Sequence, residues 1–436
     1  MDAAALSHLL FHGAGVVREV SGPGGSFHFR TYAAAGALYP IEVYVVAGAT
    51  AGLGAGVYHY GPREHALMPL RTGDFRGGLG LAGEQPGAAA LVLTGVPWRT
   101  SWKYEARGFR HLYWDAGMML ANLLASAAAL QVQARVALGF VDRAVEEVIS
   151  IDGRSEFALA VVALGSDETP QSPEAPRLDI RVAPVSPRPQ SDPFIVRARD
   201  AIALRSEDEV AAFRDADVSD QPEERNGSRV AVPADEALLV EDSLEEVVRR
   251  RGSSRRLARE AFPAAEYGVL LDQALGGLPQ DWPPLRIEAW FVANALDGLE
   301  PGSYRYAGEG LFDRIRAGDL RRGAGYLCLE QRLGADAAAT LFLMADVEDA
   351  VRKMGGRGYA AAQLGAAVAA GRLYLGAYAQ CLGASGITFY DDEVRGFLDT
   401  SWEPMLAVVM GPEGRRASIR RCREERYPEV ARTADV

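Results

Sequence analysis

A chain of 436 residues with 48% hydrophobic and 24% charged residues has the balance of a soluble folded protein and length for two or three domains. Its net charge of −12 argues against a nucleic-acid surface. Cys328, Cys381 and Cys422 lack paired spacing, which speaks against a zinc ribbon or disulfide scaffold and suits a reducing cytoplasm, and neither a basic start nor an apolar run of about 18 residues signals export or a membrane span.

In chain order, residues 1–167 read as a mixed α/β unit. A helix around Leu6–Leu10 is followed by strands at Ile41–Ala47, Tyr58–Tyr60 and Ala89–Thr94. A long helix then runs through Asp115-Ala116-Gly117 to Leu130, and its near lack of charge predicts burial all round. Residues 168–240 are rich in prolines and acids and read as a connector over the surface with some local structure. The remainder, 241–436, opens with a helix from Ser243 to Arg251, where Ser243-Leu244-Glu245-Glu246 predicts a capping box. A strand at Arg286–Ala293 and a second alanine-rich helix, Ala360–Cys381, come next, and the tail after Gly414 is basic.

The two halves repeat one another. Glu42-Val43-Tyr44 and Gly56-Val57-Tyr58-His59-Tyr60 return as Glu288-Ala289-Trp290 and Gly302-Ser303-Tyr304-Arg305-Tyr306, both at an offset of 246 (288 − 42 and 304 − 58). Lys103 with Arg107-Gly108-Phe109 returns as Lys353 with Arg357-Gly358-Tyr359 at 250 (353 − 103). The apolar closing strands, ending at Gly165 and Gly411, return to 246 (411 − 165). The uncharged helices of the two copies are expected to pack against each other, because uncharged helical faces must be covered.

Three segments could carry chemistry. Arg250-Arg251-Gly252-Ser253-Ser254-Arg255-Arg256 gathers guanidinium and hydroxyl groups suited to a phosphate monoester, although a solvated basic helix end has the same composition. The small residues of Ala33-Ala34-Ala35-Gly36-Ala37-Leu38-Tyr39-Pro40 let a backbone approach something flat, or simply form a tight turn. Lys103-Tyr104 could be an acid–base pair, since an ammonium favours a neighbouring phenolate, or an exposed lysine beside an interfacial tyrosine. Gly78-Leu79-Gly80-Leu81-Ala82-Gly83 has dinucleotide-like glycines but neither follows a strand nor opens a helix, so it is set aside. Scattered histidines and the absence of Gly-x-Ser-x-Gly give metal and serine-hydrolase readings no support.

Together these segments resemble the nitroreductase-like flavoproteins, in particular the SagB-type branch that includes the azoline oxidases of azole-forming peptide pathways. Arg251-x-Ser253-x-Arg255 is similar to the family's Arg-Arg-Ser-x-Arg motif, with Gly252 in place of the second arginine. Ala33–Pro40 is similar to its Pro-Ser-x-Gly-Ala-Leu-Tyr-Pro loop, and Lys103-Tyr104 with Arg-Gly-Phe-Arg and Asp115-Ala116-Gly117 to its Lys-Tyr segment. The resemblance implies an α+β fold of two tandem nitroreductase-like domains, 1–167 and 241–436, forming a pseudo-dimer within one chain. It also implies FMN, with Arg251, Ser253, Arg255 and one of Arg415 or Arg416 at the phosphate and Ala34, Ala35, Gly36 and Leu38 at the ring. The first copy keeps the loop and the Lys-Tyr pair. The second keeps the arginine-serine motif, has Leu278-Pro279-Gln280-Asp281-Trp282-Pro283-Pro284 in the loop's place, and has Met354 where Tyr104 stands. One complete site per chain follows.

The activity implied is FMN-dependent oxidation of a peptide-derived substrate, with thiazoline or oxazoline to thiazole or oxazole preferred. Lys103 and Tyr104 would be the catalytic residues, and no metal takes part. The family's tandem enzymes often carry an amino-terminal peptide-recognition domain; none is read here, which favours a carrier-bound or free azoline and leaves room for partner proteins. An NAD(P)H-dependent nitro- or ene-reductase and a flavin-free interaction subunit stay open as alternatives. So do the substrate, the electron acceptor and the choice between monomer and homodimer.

Overall fold

The computed structural model describes residues 1–22, 25–49, 52–167, 172–180, 186–218, 228–233, 235–239 and 242–413. The first half builds α1 (Ala3–Ala14), β1 (Val16–Gly22), β2 (Gly25–Arg30), β3 (Ile41–Ala47), β4 (Gly56–Gly61), β5 (Ala66–Thr72) and β6 (Ala89–Gly95). It continues with α2 (Trp98–Tyr104), α3 (Gly108–Ala129), β7 (Ala134–Ala137), α4 (Asp142–Ile149) and β8 (Phe157–Leu164), then α5 (Pro193–Ile202) and α6 (Glu207–Arg214). The second half opens with β9 (Ser228–Ala231), α7 (Leu244–Arg250), β10 (Phe262–Pro263), α8 (Ala264–Leu275), β11 (Ile287–Ala293) and β12 (Leu296–Asp297). Next come β13 (Gly302–Gly308), β14 (Leu311–Ala317), α9 (Arg321–Leu327), α10 (Arg332–Asp336) and β15 (Ala339–Ala345). The half closes with α11 (Val347–Met354), α12 (Gly356–Ala379), β16 (Gly383–Ile387), α13 (Asp391–Leu398) and β17 (Glu403–Gly411).

Two compact units result, neither of them continuous in sequence. The first contains Met1–Ser219, Gly277–Leu285 and Val347–Ala367; the second contains Asp220–Gly276, Arg286–Asp346 and Val368–Val436. The sheet of the first unit runs β5-β4-β3-β6-β8-β7. That of the second, read in the same sense, runs β14-β13-β11-β15-β17-β16, with β9 added outside β14.

The repetition reaches individual hydrogen-bonded pairs. Tyr44 lies opposite His59, and Trp290 opposite Arg305, so both partners are displaced by 246 (290 − 44 and 305 − 59). Ala89 faces Leu164 as Ala339 faces Met410, and both ladders slip at the same place, Leu93/Thr94 and Leu343/Met344. A bulge is a costly local choice, so its recurrence at one register position marks a duplicated fold. The chain holds two tandem copies.

In the first unit, the apolar side of the sheet buries Val46, Val92 and Val161 with Phe140 and Leu79. Helix α3 is buried along nearly its whole length, as its lack of charge predicts. Asp2 caps α1 through the Ala5 amide at 2.8 Å. The described part of the proline-rich stretch contains two helices. Asp192 caps α5, whose Pro193 sits at its first turn, and Ser206 caps α6. A proline there lacks only an amide that would be unpaired anyway, so it starts a helix instead of breaking one. The two helices bury Ile195, Ile202, Val210 and Phe213.

Segments from the second copy complete the first unit. The Pro279 carbonyl accepts from Val136 at 2.7 Å and the Asp281 amide donates back to the Val136 carbonyl at 3.0 Å. The Asp281 carboxylate takes the Leu138 amide at 2.8 Å and pairs with Arg214 at 2.9 Å. The segment in the loop's place is therefore a structural strap. Residues 356–367 of α12 meet α3 here: Trp114 Nε1 donates to Gln363 Oε1 at 2.7 Å, and Phe109 stacks on Tyr359 at 6.4 Å.

Two expectations need correction. Ser243 occupies the cap position of α7, but its hydroxyl makes no capping bond. The Asp242 carboxylate works at this end instead, accepting the Ser243 amide at 2.8 Å and pairing with Arg250. Cys381 is disulfide-bonded, which the spacing of the cysteines does not announce, whereas Cys328 is a free, buried thiol.

Candidate active site

The loop from Thr31 to Pro40 has an unusual backbone. Gly36 lies at φ 62°, and the non-glycine residues Ala37 and Tyr39 lie at 54° and 46°. Left-handed conformations of this kind cost a side-chain-bearing residue about 1 kcal/mol or more and persist only where surroundings impose them. Here the surroundings are polar and specific. The Ala35 amide donates to Asp115 Oδ1 at 2.9 Å, and Arg99 Nη1 donates to the Tyr39 carbonyl at 3.2 Å. Tyr32 packs edge-on against the Tyr39 ring at 5.5 Å. Asn122 holds the Thr31 carbonyl at 2.8 Å.

Helix α2 ends at Tyr104, and Glu105 turns left-handed at φ 50° before α3 begins. Glycine at the start of α3 allows a close return of the chain: a side chain on Gly108 would come within 3.0 Å of Thr100 Oγ1 and 3.2 Å of the Ser101 backbone. The break leaves Lys103 exposed and Tyr104 half-buried at the helix end. The Lys103 ammonium lies 5.0 Å from the Tyr104 ring centre. Both tips reach the loop. A Cβ on Gly36 would stand 2.7 Å from Tyr104 Oη and 2.9 Å from Lys103 Nζ. Glycine is favoured there by φ, and any side chain would push the two tips aside.

Beneath α2, Glu42 of β3 pairs with Arg99 and accepts from His59 Nε2 at 2.9 Å. Burial alone would raise this carboxyl, but the His59 hydrogen bond with Arg99 and Arg30 holds it at about 2. The second copy keeps a version of this contact, Glu288 with Arg305 at 3.6 Å.

Two side chains of α3 complete the site. Burial pushes Asp115 up to about 8, against the pull of the Ala35 amide and Arg30, and its Oδ2 has no partner among the described residues. His111 lies edge-on to Tyr104 at 4.3 Å and beside Trp114 at 4.7 Å. Neither of its ring nitrogens has a partner among the described residues. Burial, then Arg107, Arg110 and Lys103, holds it down at about 3, so the imidazole is neutral. Sequence reasoning missed His111. The signal available was its counterpart in the second copy, Ala361, which shows that the helix does not need it.

In the second unit, Arg251, Ser253 and Arg255 lie on an irregular segment after α7. Ser254 and Leu257 are buried while Ser253 and Arg255 face solvent. Ser254 is pinned by three contacts: its amide to the Ala384 carbonyl at 2.9 Å, its hydroxyl to Glu413 at 2.6 Å, and Tyr378 Oη at 3.3 Å. Ser253 hydrogen-bonds the Tyr374 hydroxyl, and Arg255 makes no ion pair with another described residue. Arg415 and Arg416 lie outside the described residues. Structure thus brings Ala34, Ala35, Gly36 and Leu38 together with Lys103 and Tyr104 in one unit, and Arg251, Ser253 and Arg255 together in the other.

The Nitroreductase family profile matches residues 1–166. That stretch is a nitroreductase-family domain. The chain is 29% identical over 165 residues to the nitroreductase-like MJ1384 protein of Methanocaldococcus jannaschii, covering 37% of this chain and 78% of that protein. It is 32% identical over 160 residues to the microcin B17-processing protein McbC of Escherichia coli, spanning 34% of this chain and 59% of McbC. With the trifolitoxin-processing protein TfxB of Rhizobium leguminosarum it shares 29% identity over 143 residues, 30% of this chain and 38% of TfxB. A crystal structure of a nitroreductase-like protein from Anabaena variabilis matches with a TM-score of 0.78 and 27% identity, over 94% of this chain and 88% of the other. Among the described residues, no helix is long and apolar enough to cross a membrane.

Proposed function

We propose that the protein is an FMN-dependent oxidoreductase that dehydrogenates a peptide-derived heterocycle, with thiazoline or oxazoline to azole as the preferred reaction. The observation that carries this reading is the convergence of Tyr104 Oη and Lys103 Nζ on the Gly36 backbone. Support comes from the similarity to McbC and TfxB, both named as processors of peptide natural products. The residues fit FMN chemically. A small-residue turn with a bare glycine admits a flat ring, and exposed Ser253 and Arg255 beside Arg251 suit a phosphate monoester.

FMN, when bound, supplies the acceptor for a two-electron oxidation. Conversion of an azoline to an azole removes one proton and one hydride. Tyr104 takes the ring Cα proton as a phenolate, and the Lys103 ammonium offsets its negative charge. The neutral His111 behind Tyr104 adds no competing charge. Domain limits at 1–167 and 241–436, with 168–240 between them, belong to the same reading, as does a cytoplasmic setting.

The test is anaerobic mixing of the purified protein with a thiazoline peptide and, separately, with NADPH, following the flavin absorbance. Reduction by the azoline, with Tyr104→Phe slower by about 10²–10⁴ and flavin still bound, supports the reading. Reduction by NADPH alone would make the protein a reductase, and a colourless preparation that takes up no FMN would remove the cofactor. One FMN per chain is expected, and Arg255→Ala should weaken its binding about ten- to a hundredfold.

A further inference from the structure

The second copy is an internal control for what the fold itself requires of α3. At the offset of 250, Tyr104, His111 and Asp115 correspond to Met354, Ala361 and Gly365. Met354 ends α11, and helix α12 forms over 24 residues with Ala361 and Gly365 in place of the histidine and the acid. A buried carboxyl on α3 is therefore not demanded by the helix or by the sheet beneath it. It also costs stability, because Oδ2 of Asp115 is buried with no partner among the described residues.

What Asp115 touches is the loop. Its Oδ1 accepts the Ala35 amide at 2.9 Å, one residue before the run of left-handed positions at Gly36, Ala37 and Tyr39. The second copy has neither the acid nor the loop. There, α8 and β11 are joined by 11 residues (286 − 275), against 26 (40 − 14) between α1 and β3. Carboxyl and loop occur together, and they are missing together.

We propose that Asp115 is a positioning residue, whose carboxyl oxygen holds the strained turn and thereby sets the approach of the Gly36 backbone to Tyr104 and Lys103. This rests on the reading of Lys103 and Tyr104 as reacting groups, but its physical core, the tie between carboxyl and loop, can be tested apart from it. The carboxyl acts only as an acceptor toward Ala35, so an amide side chain should replace it and a hydrocarbon should not.

The experiment is amide hydrogen exchange over residues 33–38 in the full-length protein for wild type, Asp115→Asn, Asp115→Ala and Asp115→Leu. Alanine and leucine variants should lose protection there by at least about tenfold, the equivalent of one hydrogen bond, while exchange in β3 and β6 stays unchanged. Leucine fills the space that alanine empties, so a cavity effect would separate the two. Asparagine should keep the protection. With a thiazoline peptide, turnover should drop about tenfold in the alanine and leucine variants with little change in KM, and asparagine should recover most of it. Unchanged protection in the alanine and leucine variants would overturn the proposal, and so would an asparagine variant indistinguishable from them. Absence of azoline oxidation in wild type, with the exchange pattern as expected, would sink the catalytic reading and leave the loop assignment standing.

Discussion

Asp115 and His111 stand one helical turn apart on α3, and both leave buried polar atoms without a partner among the described residues. Their energetics are testable by opposite routes. With its carboxyl pushed up to about 8, Asp115 stays protonated in the folded state after the unfolded chain has ionised near its ordinary value of about 3.9. Stability from this group is therefore fully present below about pH 4 and is lost as pH rises toward 8. The maximum slope is roughly 1.4 kcal/mol per pH unit. Asp115→Asn carries no such proton, so the melting temperature of the variant should gain on wild type between pH 5 and pH 8; parallel curves would refute a buried neutral acid. His111→Phe keeps a ring against Tyr104 and removes two unpaired nitrogens, so unfolding by urea should show a gain of about 1 kcal/mol. The sequence singled out Asp115 through its motif. His111 has no local pattern; only comparison with Ala361 of the second copy marks it, and its contact with the Tyr104 ring comes from the fold.

The elements that form the candidate site meet where the loop backbone lies close to the Lys103 and Tyr104 tips. Gly36 is the sharpest case, since its φ is 62° and a Cβ would meet Tyr104 Oη at 2.7 Å. Gly36→Ala should displace the loop or the Lys-Tyr pair. The expected result is turnover lowered by about a hundredfold or more, with a melting temperature within a few degrees of wild type, because the strain falls on a surface turn. Circular dichroism beside a turnover assay checks both halves. Several strands and the two long helices were legible from apolar runs and from the lack of charge. Helices α5 and α6 were not, because their region is dominated by prolines that read as breakers, while Pro193 and Ser206 in fact stand at helix starts. The role of Leu278–Pro284 was equally hidden. Its pairing with β7 joins Asp281 to Leu138 across 143 positions of sequence, and no local pattern announces so distant a partner.

At the scale of the molecule, duplication organises what is conserved between the copies and what is discarded. Both copies build one strand order, and the β6–β8 and β15–β17 ladders slip at the same place. Within the first unit, equivalent positions meet, as Phe109 meets Tyr359 and Gly117 meets Ala367. A Cβ at Gly117 would stand 2.4 Å from Ala367 Cβ and 2.9 Å from the Leu364 carbonyl, and backbone cannot yield as a flexible side chain can. Gly117→Val should therefore destabilise the protein by about 1–3 kcal/mol, and an unchanged melting temperature would show that α3 and α12 have room to separate. The amino-acid sequence by itself determined the repeat, its offsets of 246 and 250, the strands and uncharged helices of each copy, and the division of motifs between them. All of these follow from periodic patterns or from comparison of one half with the other. Tertiary structure alone decided which unit each segment joins, that Asp115 rather than another acid holds the loop, and that His111 backs Tyr104. Such choices depend on which groups lose water together when distant segments pack, and burial, unlike periodicity, is a property of the folded chain.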